Sequence, residues 1–315
     1  MQRDEILNRE LEQFLTNYSD NEIRITYKRS GTFTGKITRE GFDRLVNDPR
    51  VKEIRQEYTE IGYASVDTSV PLINATTTWN LGYSGTGIKV CIIDTGVNAT
   101  HPFLNGKIAD QYCFCSTIND TSNYCCPNHH EEDTSAKDDN GHGTHVAGII
   151  ASQNKTYKGV APNATFYVVK VLNSSGSIDV WNDLAKAIDW CRINKNADVI
   201  SISIDTKTIY PDVSSCPSEP PTDAINDAYN AGIPVFIASG NGYSQAGVSY
   251  PACSPKAIAI GSSKKDDEFD SQTNRNSWRP TILAPGYGIF SAKWDPNGIA
   301  RLGCQSLSDK YLYLC

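Results

Sequence analysis

The sequence predicts an α/β fold, a parallel sheet with helices on both faces, preceded by a smaller α+β unit. Three observations predict it. From residue 88 onward, five runs are almost wholly apolar: 88–93, 166–171, 199–204, 234–238 and 257–260. Such runs read as strands buried on both faces. Helical stretches, 180–193 and 223–231 among them, fall between these runs. Residues 1–63 differ, with charged, alternating and turn-punctuated segments.

Taken in order, 3–18 is charged and periodic and predicts a helix. Segments 22–28 and 32–37 predict strands joined at Arg29-Ser30-Gly31. Segment 38–47 predicts a helix with Thr38 as its N-cap, and 51–58 a last strand. The order α-β-β-α-β is one strand short of a ferredoxin-like unit. Residues 64–84 predict a connector, with Pro71 and the turn Gly82-Tyr83-Ser84-Gly85. Residues 85–315 form the large α/β domain.

The net charge of −7 argues against nucleic acid as a partner, because phosphate binding needs basic surface. No apolar run reaches the length of a membrane span. Met1 opens into a charged stretch, so no secretory leader is read at the start. Yet there are ten cysteines, and sequons stand at Asn17, Asn74, Asn98, Asn119, Asn154, Asn163 and Asn173. Together they predict an oxidising, extracellular compartment.

Three short motifs carry chemistry. Asp94, in Ile92-Ile93-Asp94-Thr95-Gly96, ends a buried strand. Its carboxylate therefore lies at the carboxyl edge of the sheet, where open α/β sheets place their sites. His142 lies in Asp138-Asp139-Asn140-Gly141-His142-Gly143-Thr144-His145, with small residues following on a helix. Small residues let that helix pack closely and hold an imidazole in place. A metal reading through His142 and His145 lacks a further ligand at zincin spacing. In Ile237-Ala238-Ser239-Gly240-Asn241-Gly242, a third strand ends in an Asn amide suited to stabilising an oxyanion.

The three motifs and their order resemble those of the subtilisin-like serine proteases, over residues 85–303. The resemblance implies a subtilisin-like domain in which Asp94 orients His142, His142 is the general base and Asn241 donates to the oxyanion. It implies Ser203, Ile204 and Gly240 as substrate-binding residues and polypeptides as substrates. It also makes residues 1–63 similar to part of an inhibitory propeptide, carried by Phe33-Thr34-Gly35-Lys36-Ile37 and Asp48-Pro49-Arg50-Val51. That domain would occupy the cleft until cut near Tyr63 or Ala64. Its usual first strand does not precede 3–18, so the chain is expected to begin inside the propeptide.

The pattern then breaks. The family's nucleophile lies in Gly-Thr-Ser-x-Ala-x-Pro, and here Gly303-Cys304-Gln305-Ser306-Leu307-Ser308 stands instead. Gln305 falls on the nucleophile position, and a carboxamide cannot carry out acyl transfer. No nucleophile is identified, because shifting to Ser306 or Ser308 moves the oxygen by ångströms. The expectation is a peptidase domain incomplete before its serine, with a catalytically dead binding protein as the alternative. Asp205-Thr206-Lys207 replaces the family's substrate-pairing glycines. Phe103 stands where some members carry a calcium-ligating Asp, so no cofactor is expected and the common calcium site is in question. Disulfides are the better reading of Cys113, Cys115, Cys125 and Cys126 than zinc. Cys216 and Cys253 could form another bridge, and Cys91 reads as an inert core thiol.

Overall fold

The computed structural model describes residues 23–29, 32–51, 66–117, 124–277, 281–293 and 299–302. The chain divides into two compact units, Met1–Ile61 and Gly62–Cys315. In the first, β1 (Ile23–Arg29) and β2 (Thr32–Ile37) pair antiparallel, with Arg29 opposite Thr32. Helix α1 (Arg39–Val46) follows, and the Thr38 hydroxyl accepts from the Gly41 N–H at 3.2 Å. This is the cap that the sequence predicts, satisfying one of the otherwise orphaned first-turn donors. The helix expected at 3–18 and, beyond Val51, the strand expected at 51–58 lie outside the described residues.

The second unit opens on two short helices, α2 (Val66–Leu72) and α3 (Ala75–Asn80), where the sequence predicts only a connector. Val70 and Ala75 bury against Ile289, with Trp79 and Ile149 packed alongside. Contact with residues far along the chain sustains these turns, which is why local propensity does not announce them.

The large sheet has eight strands. They are β3 (Lys89–Asp94), β4 (Ile108–Phe114), β5 (Glu132–Asp133), β6 (Thr165–Lys170), β7 (Val199–Ile202), β9 (Val235–Ala238), β11 (Ile258–Ser263) and β12 (Ile282–Pro285). Their spatial order is β12-β11-β9-β7-β3-β6-β4-β5, parallel throughout except for the β4–β5 pair. Small antiparallel pairs join β8 (Ile209–Tyr210) to β10 (Val248–Ser249) and β13 (Ile289–Ala292) to β14 (Ile299–Leu302).

Both faces of the sheet are covered. Along β3, Cys91 and Ile93 join one core, with Leu184 and Ile188 of helix α5 (Trp181–Asp189) and Ile225 of α6 (Pro220–Asn230). Val90 and Ile92 join the other, with Ala147 and Ala151 of α4 (His142–Ala151). Period-two alternation thus sends apolar side chains both ways, and an all-apolar strand is the result. The chain runs from β3 past β6 to β4, returns, and then builds β7, β9, β11 and β12 on the far side of β3. That reversal makes the carboxyl end of β3 a topological switch point, where such sheets hold their ligands.

Cys91 is not the inert thiol that its apolar strand suggests; it is bonded to Cys191, with the Cα atoms 6.0 Å apart. After α5 the chain makes a five-residue π-helical turn, Trp190–Asn194, which carries Cys191 onto the sheet. Cys113–Cys126 and Cys115–Cys125 pin the long loop after β4, and Cys216–Cys253 ties two further loops.

Candidate active site

Strands β3, β6, β7 and β9 all end at one edge of the sheet, and the residues expected from the sequence stand there. Asp94, the last residue of β3, is fully buried. His142 is the first residue of α4 and 6 % exposed. Its Nδ1 lies 2.7 Å from one Asp94 carboxylate oxygen and 2.9 Å from the other. A carboxylate only accepts, so Nδ1 carries the proton in this contact.

The frame around this pair is built from the Asp-Thr-Gly and His-Gly-Thr segments together. The Thr95 N–H donates to Asp94 Oδ1 at 2.7 Å. The Thr95 hydroxyl accepts from the Gly143 N–H at 2.9 Å and donates to Asp138 Oδ1, also at 2.9 Å. Asp138 is 4 % exposed and accepts further from the Asn140, Gly141 and Thr144 N–H groups and from the Thr144 hydroxyl. So many donors satisfy a buried carboxylate that would otherwise be costly to hold away from water. Gly143 has to be glycine, since a Cβ there would come 2.0 Å from the Gly96 carbonyl oxygen. His145, the other histidine of the motif, turns away and meets the Ile289 carbonyl at 3.0 Å, while Ser291 donates to the His145 carbonyl. It anchors α4 to β13.

Sequence reasoning missed one member of this frame. Lys170, the last residue of β6, is fully buried. Its ammonium donates to the Thr95 carbonyl at 3.0 Å, the Leu172 carbonyl at 2.7 Å and Asp139 at 2.7 Å. Three acceptors match the three donors of a lysine head group. The available signal was a lysine closing an otherwise apolar strand beside the strand of Asp94.

Asn241 follows β9, and its neighbourhood is separate from the Asp94–His142 contact. Its N–H donates to Asp205 Oδ2 at 3.3 Å. Asn274, fully buried, holds the same loop by accepting from the Gly242 and Ser244 N–H groups and donating to Ser249. Gly240 has φ +99°, and a Cβ there would meet Ser249, Asn274 and Asp205 at 2.3–2.7 Å. Of the remaining expected residues, Ser203 is half-buried just past β7, and Ile204 is buried. Gln305, Ser306 and Ser308 lie outside the described residues.

A cavity of about 170 Å³ is lined by Leu172, Gly176, Ser177, Ile178, Trp181, Ile204, Asp205 and Lys207. Leu172 reaches the Asp94 carbonyl through its N–H at 3.4 Å. Asp205, in its lining, accepts from the Asn241 N–H. Burial raises the Asp205 carboxyl from its ordinary 3.8 to about 6, against the opposing pull of the Asn241 N–H, Lys207 and the Ser249 hydroxyl.

A parallel sheet with a buried Asp–His pair at one strand end and a loop Asn at another has the layout of a serine-protease site. The chain belongs to the subtilase family, whose model matches residues 85–309. An alkaline protease of Alkalihalobacillus alcalophilus is 34% identical over 265 residues, which are 81% of this chain and 60% of that protein. Subtilisin E of Bacillus subtilis (strain 168) is 30% identical over 276 residues, 86% of this chain and 65% of that one. The chain thus spans about three fifths of the length of such relatives. A solved cold-adapted subtilisin-like serine proteinase superposes with a TM-score of 0.55 at 28% identity, covering 70% of each chain.

Proposed function

We propose that this site is built for hydrolysis of peptide bonds through an acyl-enzyme, with His142 as general base, Asp94 orienting it and Asn241 serving the oxyanion. The observation that carries this reading is the buried Asp94 carboxylate held on His142 Nδ1 at 2.7 Å, the contact that orients a general base. The cavity at the carboxyl edge is where a polypeptide side chain would sit. The N-terminal unit, by its likeness to a propeptide, is the second polypeptide proposed for that cleft. An extracellular location is supported by four disulfides within the second unit and by relatives such as the minor extracellular protease Epr.

Gln305 stands where the family places its serine, and no other residue of this chain is assigned that role. The purified chain is therefore expected neither to hydrolyse casein nor to be labelled by a fluorophosphonate. Stoichiometric labelling at Ser306 or Ser308, abolished by His142→Ala, would show that a displaced serine serves as nucleophile. Failure of the cleft to bind any peptide would overturn the protease reading itself.

No calcium requirement is proposed at the position where some members carry an Asp. Phe103 packs there edge-on to His101 at 4.8 Å and stacks on Tyr157 at 6.5 Å. Asn154, in the loop after α4, accepts the Thr156 and Tyr157 N–H groups on its side-chain oxygen. These residues do not fit a hard cation, which takes oxygen ligands.

A further inference from the structure

The Asn-x-Ser/Thr sequons share a sequence pattern, but the fold holds them differently. Asn154 and Asn173 are held alike, each in a loop. The Asn154 Oδ1 accepts from the Thr156 and Tyr157 N–H groups, both at 2.9 Å. The Asn173 Oδ1 accepts from the Ser175 N–H at 2.9 Å and the Ser177 N–H at 3.1 Å. Each oxygen is thus spent on its own loop, while Nδ2 donates to no group among the described residues. The two residues after each asparagine, Lys155 and Thr156 or Ser174 and Ser175, are exposed. Asn74 and Asn98 instead take hydroxyl groups on Oδ1, of Thr77 and of Thr100, each at 2.8 Å. Asn163 is tied by its nitrogens: Nδ2 donates to the Ser84 hydroxyl at 2.7 Å and the backbone N–H to the Ser84 carbonyl at 2.9 Å. Next to Ser84, a Cβ on Gly85 would come 2.9 Å from Ala161 and 3.0 Å from the Ala164 nitrogen, so these two segments are tightly packed.

We propose that Asn154 and Asn173 are acceptors for N-linked oligosaccharide, and that Asn163, with the same sequon, is closed by the fold. The proposal rests on reading the chain as one exported to an oxidising compartment. The donor is a lipid-linked oligosaccharide pyrophosphate, used by the transferase of the secretory pathway. A bond forms between Nδ2 and the anomeric carbon as that carbon's bond to the phosphate oxygen breaks. Nδ2 gives up one proton, and the lipid pyrophosphate leaves with the bonding pair. An attached sugar is bulky and belongs in solvent. At Asn154 and Asn173 the turn grips the amide by its oxygen, so the nitrogen takes the sugar without loss of a protein hydrogen bond. A sugar on Asn163 has to enter where Nδ2 meets Ser84, between segments with no room for it.

The test produces the full chain in insect cells behind an added secretory leader. The protein is treated with peptide N-glycosidase in heavy-oxygen water, which turns each occupied Asn into an isotopically labelled Asp, and its peptides are mapped by mass spectrometry. Label is expected at Asn154 and Asn173 and not at Asn163. Thr156→Ala and Ser175→Ala are each expected to raise gel mobility by one glycan step. Both remove a sequon while keeping the asparagine and the backbone N–H groups that hold its oxygen. Thr165→Ala, which removes the sequon of Asn163, is expected to leave mobility unchanged. Absence of label at Asn154 or Asn173 in secreted protein, or occupancy of Asn163 equal to theirs, overturns the proposal while leaving the extracellular reading standing. A chain that stays inside the cell and is bare at both sites overturns the extracellular reading along with it.

Discussion

At the scale of the residue, Asp205 shows how position alters an ordinary carboxyl. Burial raises it to about 6, although three neighbours pull the other way. The folded protein therefore holds a proton there between pH 4 and 6 that the unfolded chain has already released. Stability falls as pH rises through that window, and the cost persists above it. Replacing the group with an amide removes the cost. Asp205→Asn is thus expected to gain on the order of 2 kcal/mol over the parent at pH 8 and little at pH 4. Thermal unfolding of both proteins across that range checks it, and a gain independent of pH would point to packing rather than ionisation.

Among the structural elements, the most informative is the turn after α5. A π-helical turn delivers Cys191 to Cys91 in the middle of the sheet, closing a loop of 100 residues. A bridge of that span restricts the unfolded chain strongly, so Cys91→Ala with Cys191→Ala is expected to cost about 4 kcal/mol. Equilibrium unfolding of the double variant, compared with the parent without reductant, measures this. Nothing in the sequence around Cys91 foretells the pairing, because its partner is brought near only by the crossing of helix and sheet. The helices α2 and α3 escaped notice for the same reason, their packing coming from the distant Ile289 and Ile149. By contrast, the strand ending at Asp94 and the helix opening at His142 were legible. Their signals are local: an apolar run, a glycine at a forced turn, small residues along a packed helix face. Lys170 lies between these cases, visible as a residue type but meaningful only once β6 is known to lie beside β3.

For the molecule as a whole, the second unit is stapled by disulfides at Cys91–Cys191, Cys113–Cys126, Cys115–Cys125 and Cys216–Cys253. Phe103, which stands where some family members carry a calcium-ligating Asp, packs against His101 and Tyr157. Chelation with EDTA is accordingly expected to leave the melting temperature unchanged within about 2 °C, which at this size corresponds to less than about 1 kcal/mol. A drop of several degrees, restored by calcium alone, would show an ion site elsewhere in the chain. Reduction, in contrast, is expected to lower the melting temperature by well over that amount.

The frame that holds Asp94 and His142 has one more implication. Every hydrogen bond described for it comes from residues 94–172, with β13 anchoring α4. The Asp94–His142 frame is thus assembled by one stretch of chain and can be inherited as a unit.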